Sequence, residues 1–572
     1  MNILLALLSF LFSINITFKE ADMRNVNTGM EIPSVNYADQ PYVVITPKGE
    51  WVCILTTGSG REGSKGQHVA SSISADKGKT WSPLVDIEPP EGPEASWACP
   101  LITKFGRIYA FYTYNGDNIH LGRDDTHGWY AYKDSDDSGH SWAEKRYRLP
   151  MRVTACDKLY KDGQLVQMFW GICKPIVVDD TVYFSYTKLG EYFLGNGEGW
   201  VFKSDNILTE KDPEKIRWEM LPEGEYGIRN PDFGSIQEEH NLAALSNGDL
   251  VCIYRTTNGW PAISYSRDKG KTWDLPKKMA YTPGGRVMRN PRACPKIWRC
   301  DNGKFLFWFH NNGCKDFNNR NPVWISGGIE KDGFIHWSQP EILLYNDDPQ
   351  KRMSYPDLIQ QDGRYWVTET EKEKARIHEI DVKLLEAMWN QVEGKGESVR
   401  NEAMFSINGK EIFETLDVDI PELPDLSKDG GFTIEMQIIL DNPKTGSKVL
   451  EAGDENSGMS ISVTDNKSLA IQFHDNNLSA YWDIDNGMLE TDKLHHVAFI
   501  VDGGPKIITC VVDDKLCDGN THERQFGWGR FNPDIRFVSN GKMKLFSNPG
   551  IEIRDLRIYD RFLLTSEAIA NR

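Results

Sequence analysis

The sequence predicts an all-β chain, a six-bladed β-propeller followed by a jelly-roll β-sandwich. Three observations predict it. One eight-residue phrase occurs three times: Ser74-Ala-Asp76-Lys-Gly78-Lys-Thr80-Trp81, Ser135-Asp-Asp137-Ser-Gly139-His-Ser141-Trp142 and Ser266-Arg-Asp268-Lys-Gly270-Lys-Thr272-Trp273. A series of short apolar segments leads these phrases by about thirty residues. Past Asp381 the rhythm stops, and a second strand-rich region begins.

Each phrase has the chemistry of a tight hairpin. The Asp side chain bonds its own turn, Gly takes a positive φ, and Trp re-enters the core on the next strand. Two worn copies extend the series, Ser204-Asp205-Asn206 running on to Trp218 and Ser326 to Asp332-Gly333 running on to Trp337. The turns thus recur about every sixty residues, enough for a four-stranded blade with long loops. The leading series reads as six innermost strands, beginning at Gln40-Pro41, Ala98-Cys99-Pro100, Cys173-Lys174-Pro175, His240-Asn241, Ala293-Cys294-Pro295 and Tyr355-Pro356-Asp357. Proline suits a strand start, where its missing N–H costs little. The repeated phrase resembles the Asp box of sialidase-like β-propellers.

After the propeller, residues 382–389 read as one short amphipathic helix, and Val392-Glu-Gly-Lys-Gly-Glu-Ser398 reads as a linker. The strand-rich remainder, from Gly431-Phe-Thr-Ile to Ile553-Arg-Asp-Leu-Arg-Ile-Tyr, resembles a laminin-G or concanavalin-like jelly roll. The expected division is a signal peptide at 1–20, the propeller at 21–385, a linker at 386–400 and the sandwich at 401–572. The sandwich is expected either to bind carbohydrate or to buttress the propeller.

The 572-residue chain has ordinary globular composition, and its 18 Trp, 21 Tyr and 25 Phe suit β structure. The apolar run at the N-terminus has signal-peptide length, although no Lys or Arg precedes Lys19. Export to the periplasm or beyond is therefore expected. No later segment is long and apolar enough to span a membrane. A net charge of -18 argues against nucleic acid or an anionic membrane as partner, so an anionic substrate needs a local cationic pocket. The ten cysteines show no metal-ligand spacing; Cys510 and Cys517 flank a hairpin that would bring them within bridging reach in an oxidising compartment.

Propellers bind ligands at the mouth of the axial funnel, beside the innermost strands. The residues there are Gln40, Trp97, Lys174, Glu238, Glu239, His240, Arg289, Arg292, Tyr355 and Asp357. The segment from Glu239 through a Gly turn to Arg255 is similar to the sialidase segment that carries a Glu and a substrate-binding Arg. The segment Met353-Ser-Tyr355-Pro-Asp357 is similar to the one that carries the nucleophilic Tyr. A phenol is a poor nucleophile until a carboxylate accepts its proton, so the Tyr355–Glu239 pairing makes chemical sense. Arg255 and Arg292, with Arg289, Lys174, Trp97, Asn311 and Asp357, are the expected substrate contacts.

Two family positions differ. Ala38-Asp39-Gln40-Pro41 stands where a sialidase has an arginine, and the stretch before the first Asp box offers only Glu62 and His68 as acids. Histidines are also enriched near the funnel, His68, His240 and His310 among them. Arg, His and Tyr suit β-elimination beside a uronate carboxylate, in which a cation stabilises the enolate and acid–base groups move the protons. The expected function is therefore a carbon–oxygen lyase or dehydratase acting on an acidic, ulvan-like oligosaccharide or polysaccharide and forming a 4,5-unsaturated uronate. This resembles propeller proteins of bacterial polysaccharide degradation. The alternatives are a retaining exo-glycosidase using Tyr355 and Glu239, and a non-catalytic glycan-binding propeller. No cofactor and no required metal are expected, although Asp232 and Asp357 leave calcium open.

Overall fold

A computed structural model describes residues 21–120, 123–159, 165–190, 197–409, 412, 415–519 and 524–572. The apolar run read as a signal peptide lies outside the described residues. Among them the strands form eight antiparallel sheets, six of four or five strands and two larger ones. The six small sheets are the propeller blades, and every segment read from sequence as innermost lies on or runs into an innermost strand.

Blade one shows the plan: Tyr37–Ile45, Trp51–Gly58, His68–Ser74 and Val85–Asp86 pair in order from the axis outwards. Blade six closes the ring differently. Its three strands Leu358–Gln361, Arg364–Thr370 and Ala375–Ile380 take their outermost partner, Met30–Ile32, from the start of the chain. Large apolar side chains fill the spaces between blades, as where Tyr130, Phe184 and Phe202 pack together.

The Asp boxes lie between the third and fourth strands, on the outer rim. In the fourth blade Ser266 Oγ accepts from Gly270 N at 2.8 Å and Asp268 accepts from Thr272 N at 2.9 Å. Both residues of the turn take the left-handed region, Lys269 at φ 64° and Gly270 at φ 87°. Ser266→Ala strands a buried N–H, so it is expected to cost about 1–3 kcal/mol in chemical denaturation while leaving any turnover unchanged.

The helix Val382–Glu393 extends past the expected 382–389, into the stretch assigned to the linker, where Gln391 Nε2 donates to Ser566 Oγ at 3.0 Å; its buried face includes Met388 and Trp389, and Trp389 Nε1 donates to Phe305 O at 2.9 Å. Asp381 caps its start and Gly394, at φ 68°, ends it. Beyond it a seven-stranded and a six-stranded sheet enclose one apolar core containing Phe432, Phe473 and Phe499. Cys510 and Cys517 do face one another across a hairpin, Cys517 N donating to Cys510 O at 2.9 Å, and both are buried free thiols. Blade five and the sandwich share a continuous apolar cluster that includes Phe307, Trp324, Ile500 and Trp528. No described helix is long and apolar enough to cross a membrane.

Candidate functional site

Strand direction decides which side chains meet at the funnel mouth. Each innermost strand starts there and the second strand returns to it, so the loop from second to third strand also lies at the mouth. Four blades carry a non-glycine residue at positive φ at or near the mouth end of the innermost strand: Gln40 (49°), Trp97 (62°), Glu239 (60°) and Tyr355 (47°). In three of them the ladder slips register at that point. Consecutive strand residues ordinarily face opposite ways; a bulge overrides this and lets Glu238 and Glu239 both reach Arg255. Such backbone costs of order 1–3 kcal/mol per residue and is kept where the surroundings over-determine it.

The centre is the pair expected from sequence. Tyr355 Oη donates to Glu239 Oε1 at 2.7 Å, and Arg255 Nη1 lies 2.6 Å from the same oxygen. Glu238 holds two guanidiniums in place, Arg255 at 2.8 Å and Arg292 at 3.0 Å. Burial, then the charge of Glu239, push the Tyr355 phenol well above its usual value, against the pull of Arg255. It is a neutral phenol that donates to a buried carboxyl group. Trp97 packs edge-on to Tyr355 with ring centres 6.3 Å apart and donates through Nε1 to Asp125 O.

These groups open onto a cavity of about 230 Å³ lined by six cations, Arg123, Arg255, Arg292, Arg320, Arg352 and Lys372, against one carboxylate, Glu62. Lys372 Nζ sits 4.3 Å from the centre of the Tyr355 ring and bridges Asp39 (2.7 Å) and Glu62 (3.2 Å). Thus Asp39, at the position where an arginine was missed, brings in a lysine from blade six. Burial pushes the Glu62 carboxyl up, but Lys372 and Arg123 outweigh it and hold it down at about 2. Arg320 is different from Arg255 and Arg292, which are paired with Glu238. It donates to Ser354 Oγ (2.7 Å) and Arg292 O (2.9 Å) and has no carboxylate at ion-pair distance among the described residues. Burial lowers its pKa, the desolvation of a guanidinium that has no carboxylate in contact.

The histidines do not converge here. His240 follows Glu239 but faces the third blade, with Nδ1 2.9 Å from Thr187 Oγ1 and Nε2 3.0 Å from Ile228 O; burial holds it neutral, at about 3. His310 is buried within blade five, pushed down to about 3 by burial and then by the Arg320 charge. His68 pairs with Asp86 at 3.2 Å on blade one, which leaves Glu62, of the two, at the cavity. Arg289 reaches away to Arg524 O of the sandwich at 3.2 Å, and the carbonyl of buried Asn311 accepts from Trp528 Nε1. Lys174 and Asp357 pair at 2.7 Å, further along the innermost strands, where a separate cavity of about 450 Å³ opens at the other end of the axial channel. Asp357 is two residues beyond Tyr355, at the entry to the strand Leu358–Gln361, and lines the other cavity.

Sequence reading missed Arg123, Arg320 and Lys372. All three lie on loops between second and third strands. The one signal available was topological, since that loop must return to the mouth in every blade.

Residues 49–367 match the BNR repeat-like domain, and residues 414–570 match the Concanavalin A-like lectin/glucanases superfamily. No curated protein matches. Among solved structures, the chain is similar to a mutant of Trypanosoma rangeli sialidase displaying trans-sialidase activity, at 14% identity over 94% of this chain and 93% of that one, with a TM-score of 0.43. It is also similar to the intramolecular trans-sialidase from Ruminococcus gnavus in complex with oseltamivir carboxylate, at 12% identity over 64% and 99%, with a TM-score of 0.44.

Proposed function

The chain belongs to the BNR repeat-like domain family, and from that premise we propose that it is a carbohydrate-active enzyme, a retaining exo-glycosidase that removes a terminal carboxylate-bearing sugar. The observation that carries this reading is the Tyr355–Glu239 hydrogen bond at the floor of a cationic cavity. The cavity volume suits one sugar ring rather than a threaded polymer.

A substrate carboxylate next to the reacting carbon repels an anionic nucleophile, and a neutral phenol avoids that repulsion. Arg320, with Arg255 and Arg292 beside it, takes the carboxylate. Tyr355 Oη attacks the anomeric carbon while Glu239 accepts the phenolic proton and Glu62 protonates the departing glycosidic oxygen. A water deprotonated by Glu62 then attacks the same carbon, displacing Tyr355, which recovers its proton from Glu239. Atoms balance as one water consumed and one acidic sugar released.

Glu62 is ionised in the empty site, and an acid must be protonated. The expected kcat/KM therefore falls with rising pH above the Glu62 value. Lys372→Met removes one of the two cations holding that value at about 2, so the descending limb should move to higher pH. A pH–rate profile checks this; an unmoved limb removes Glu62 from the acid role.

The elimination reading on uronates draws on histidines that lie outside the cavity, so hydrolysis is the better supported. One assay separates them. Sialoside- and uronate-terminated oligosaccharides, including those from ulvan, are followed by product mass and by near-ultraviolet absorbance. Release of a saturated acidic sugar supports hydrolysis. Growing absorbance, with loss of water or with chain splitting, overturns it in favour of a dehydratase or lyase, and binding without turnover across the panel favours a glycan-binding propeller.

A further inference from the structure

The loop joining Phe305–Phe309 to Val323–Lys331 carries Phe317 and Arg320 to the cavity, and both of its ends are tied to the other domain. At its start Trp528 Nε1 donates to Asn311 O (3.0 Å), Asn312 forms an antiparallel bridge with Phe526, and Gly313 N donates to Gln525 O (2.7 Å). At its finish Arg530 Nη2 donates to Asn321 O (3.0 Å), the residue next to Arg320. Several loop hydrogen bonds are local, such as Asn318 N to Asp316 Oδ1. These order the loop internally, and on the propeller side Arg292 N donates to Asp316 O (2.9 Å) and Asn321 Nδ2 donates to Asn346 O (2.8 Å) and Asp348 O (2.9 Å), so the sandwich shares the hold on the loop.

Arg530 makes this arrangement informative. It is mostly buried, it donates to the carbonyls of Pro505 and Asn321, and no carboxylate stands at ion-pair distance among the described residues. Burying a guanidinium for two carbonyl bonds is expensive, and an apolar residue of similar length would fill the space at lower cost. What the guanidinium adds is a fixed hydrogen bond at the base of Arg320.

We infer that the sandwich strand Trp528–Arg530 positions the propeller's substrate loop, so that Trp528 and Arg530 are positioning residues acting through Arg320, and the C-terminal domain is a working part of the propeller's site. The link to substrate rests on the acidic-sugar reading above; the link to the loop does not.

The test uses the full chain carrying Trp528→Phe and Arg530→Met together, which remove the two donors and keep most of the packing. Hydrogen exchange of the amides in residues 311–321 should accelerate at least about tenfold, while strand Phe305–Phe309 keeps its protection. With sialic acid and glucuronic acid as carboxylate probes, Kd should weaken about tenfold or more, and Arg530→Lys should restore part of it. Unchanged loop exchange overturns the inference, and so does accelerated exchange with unchanged Kd for a probe that the wild type binds. If the wild type binds neither acid, the acidic-sugar reading and the substrate half of the inference fail together, while the exchange result still decides whether the sandwich holds the loop.

Discussion

Tyr355→Phe is expected to lower turnover of an acidic glycoside by about 10²- to 10⁴-fold, or about 3–5 kcal/mol of barrier, while leaving substrate affinity within a few-fold. The substitution deletes one oxygen from the cavity and leaves its cations in place. Glu239 keeps Arg255 at 2.6 Å, so the base is not stranded as an unpaired buried charge, and the fold should lose about 1 kcal/mol or less. The loss should therefore fall on kcat rather than KM, the pattern of a group that acts only in the transition state. Single-turnover kinetics with a good leaving group, together with mass analysis of the quenched wild-type enzyme for a glycosyl adduct on Tyr355, provide the measurement. A Phe variant with more than a tenth of wild-type kcat would remove Tyr355 from the reaction.

Arg320→Met should separate stability from binding. Arg320 is a buried cation whose hydrogen-bond partners are a hydroxyl and a carbonyl, and its Nε has no partner. Removing the charge relieves a desolvation cost that the more distant Glu239 charge offsets only in part, so the empty protein is expected to gain about 1–3 kcal/mol. Affinity for the carboxylate substrate should fall by about 2–5 kcal/mol, at least thirtyfold. Thermal unfolding with and without ligand reads both effects. A variant that is less stable yet binds an acidic sugar normally would show that Arg320 serves the fold and not the ligand.

The framework of the molecule is legible in its sequence because blades repeat, and a repeat survives the loss of individual positions. Ser204-Asp205-Asn206 keeps the spacing without the full turn chemistry, and the third blade still forms. Tyr355 and Glu239 are legible for a related reason, since each sits at the start of an innermost strand marked by its neighbours. The rest of the site follows a different logic. Arg320 and Lys372 lie on loops with no hydrophobic period, and their meeting at the axis is a property of the closed ring, not of any local stretch. His240 shows the opposite failure. It is adjacent to Glu239, yet the bulge that turns Glu239 inwards leaves the histidine facing Thr187. Position beside a mouth does not settle which way a side chain faces.

The outermost strand of blade six comes from the first residues of the described chain, Met30 pairing with Ile377 and Ile32 with Ala375. Closure of the ring must therefore wait for a contact between segments nearly the whole propeller apart, which makes it a late event in synthesis and slow by contact order. Until it occurs, Ala375–Ile380 is an open β edge that can recruit another chain. The blade most exposed to misassembly is also the one that supplies Tyr355 and Lys372, so a chain that fails to close forfeits both the phenol and the lysine beside it.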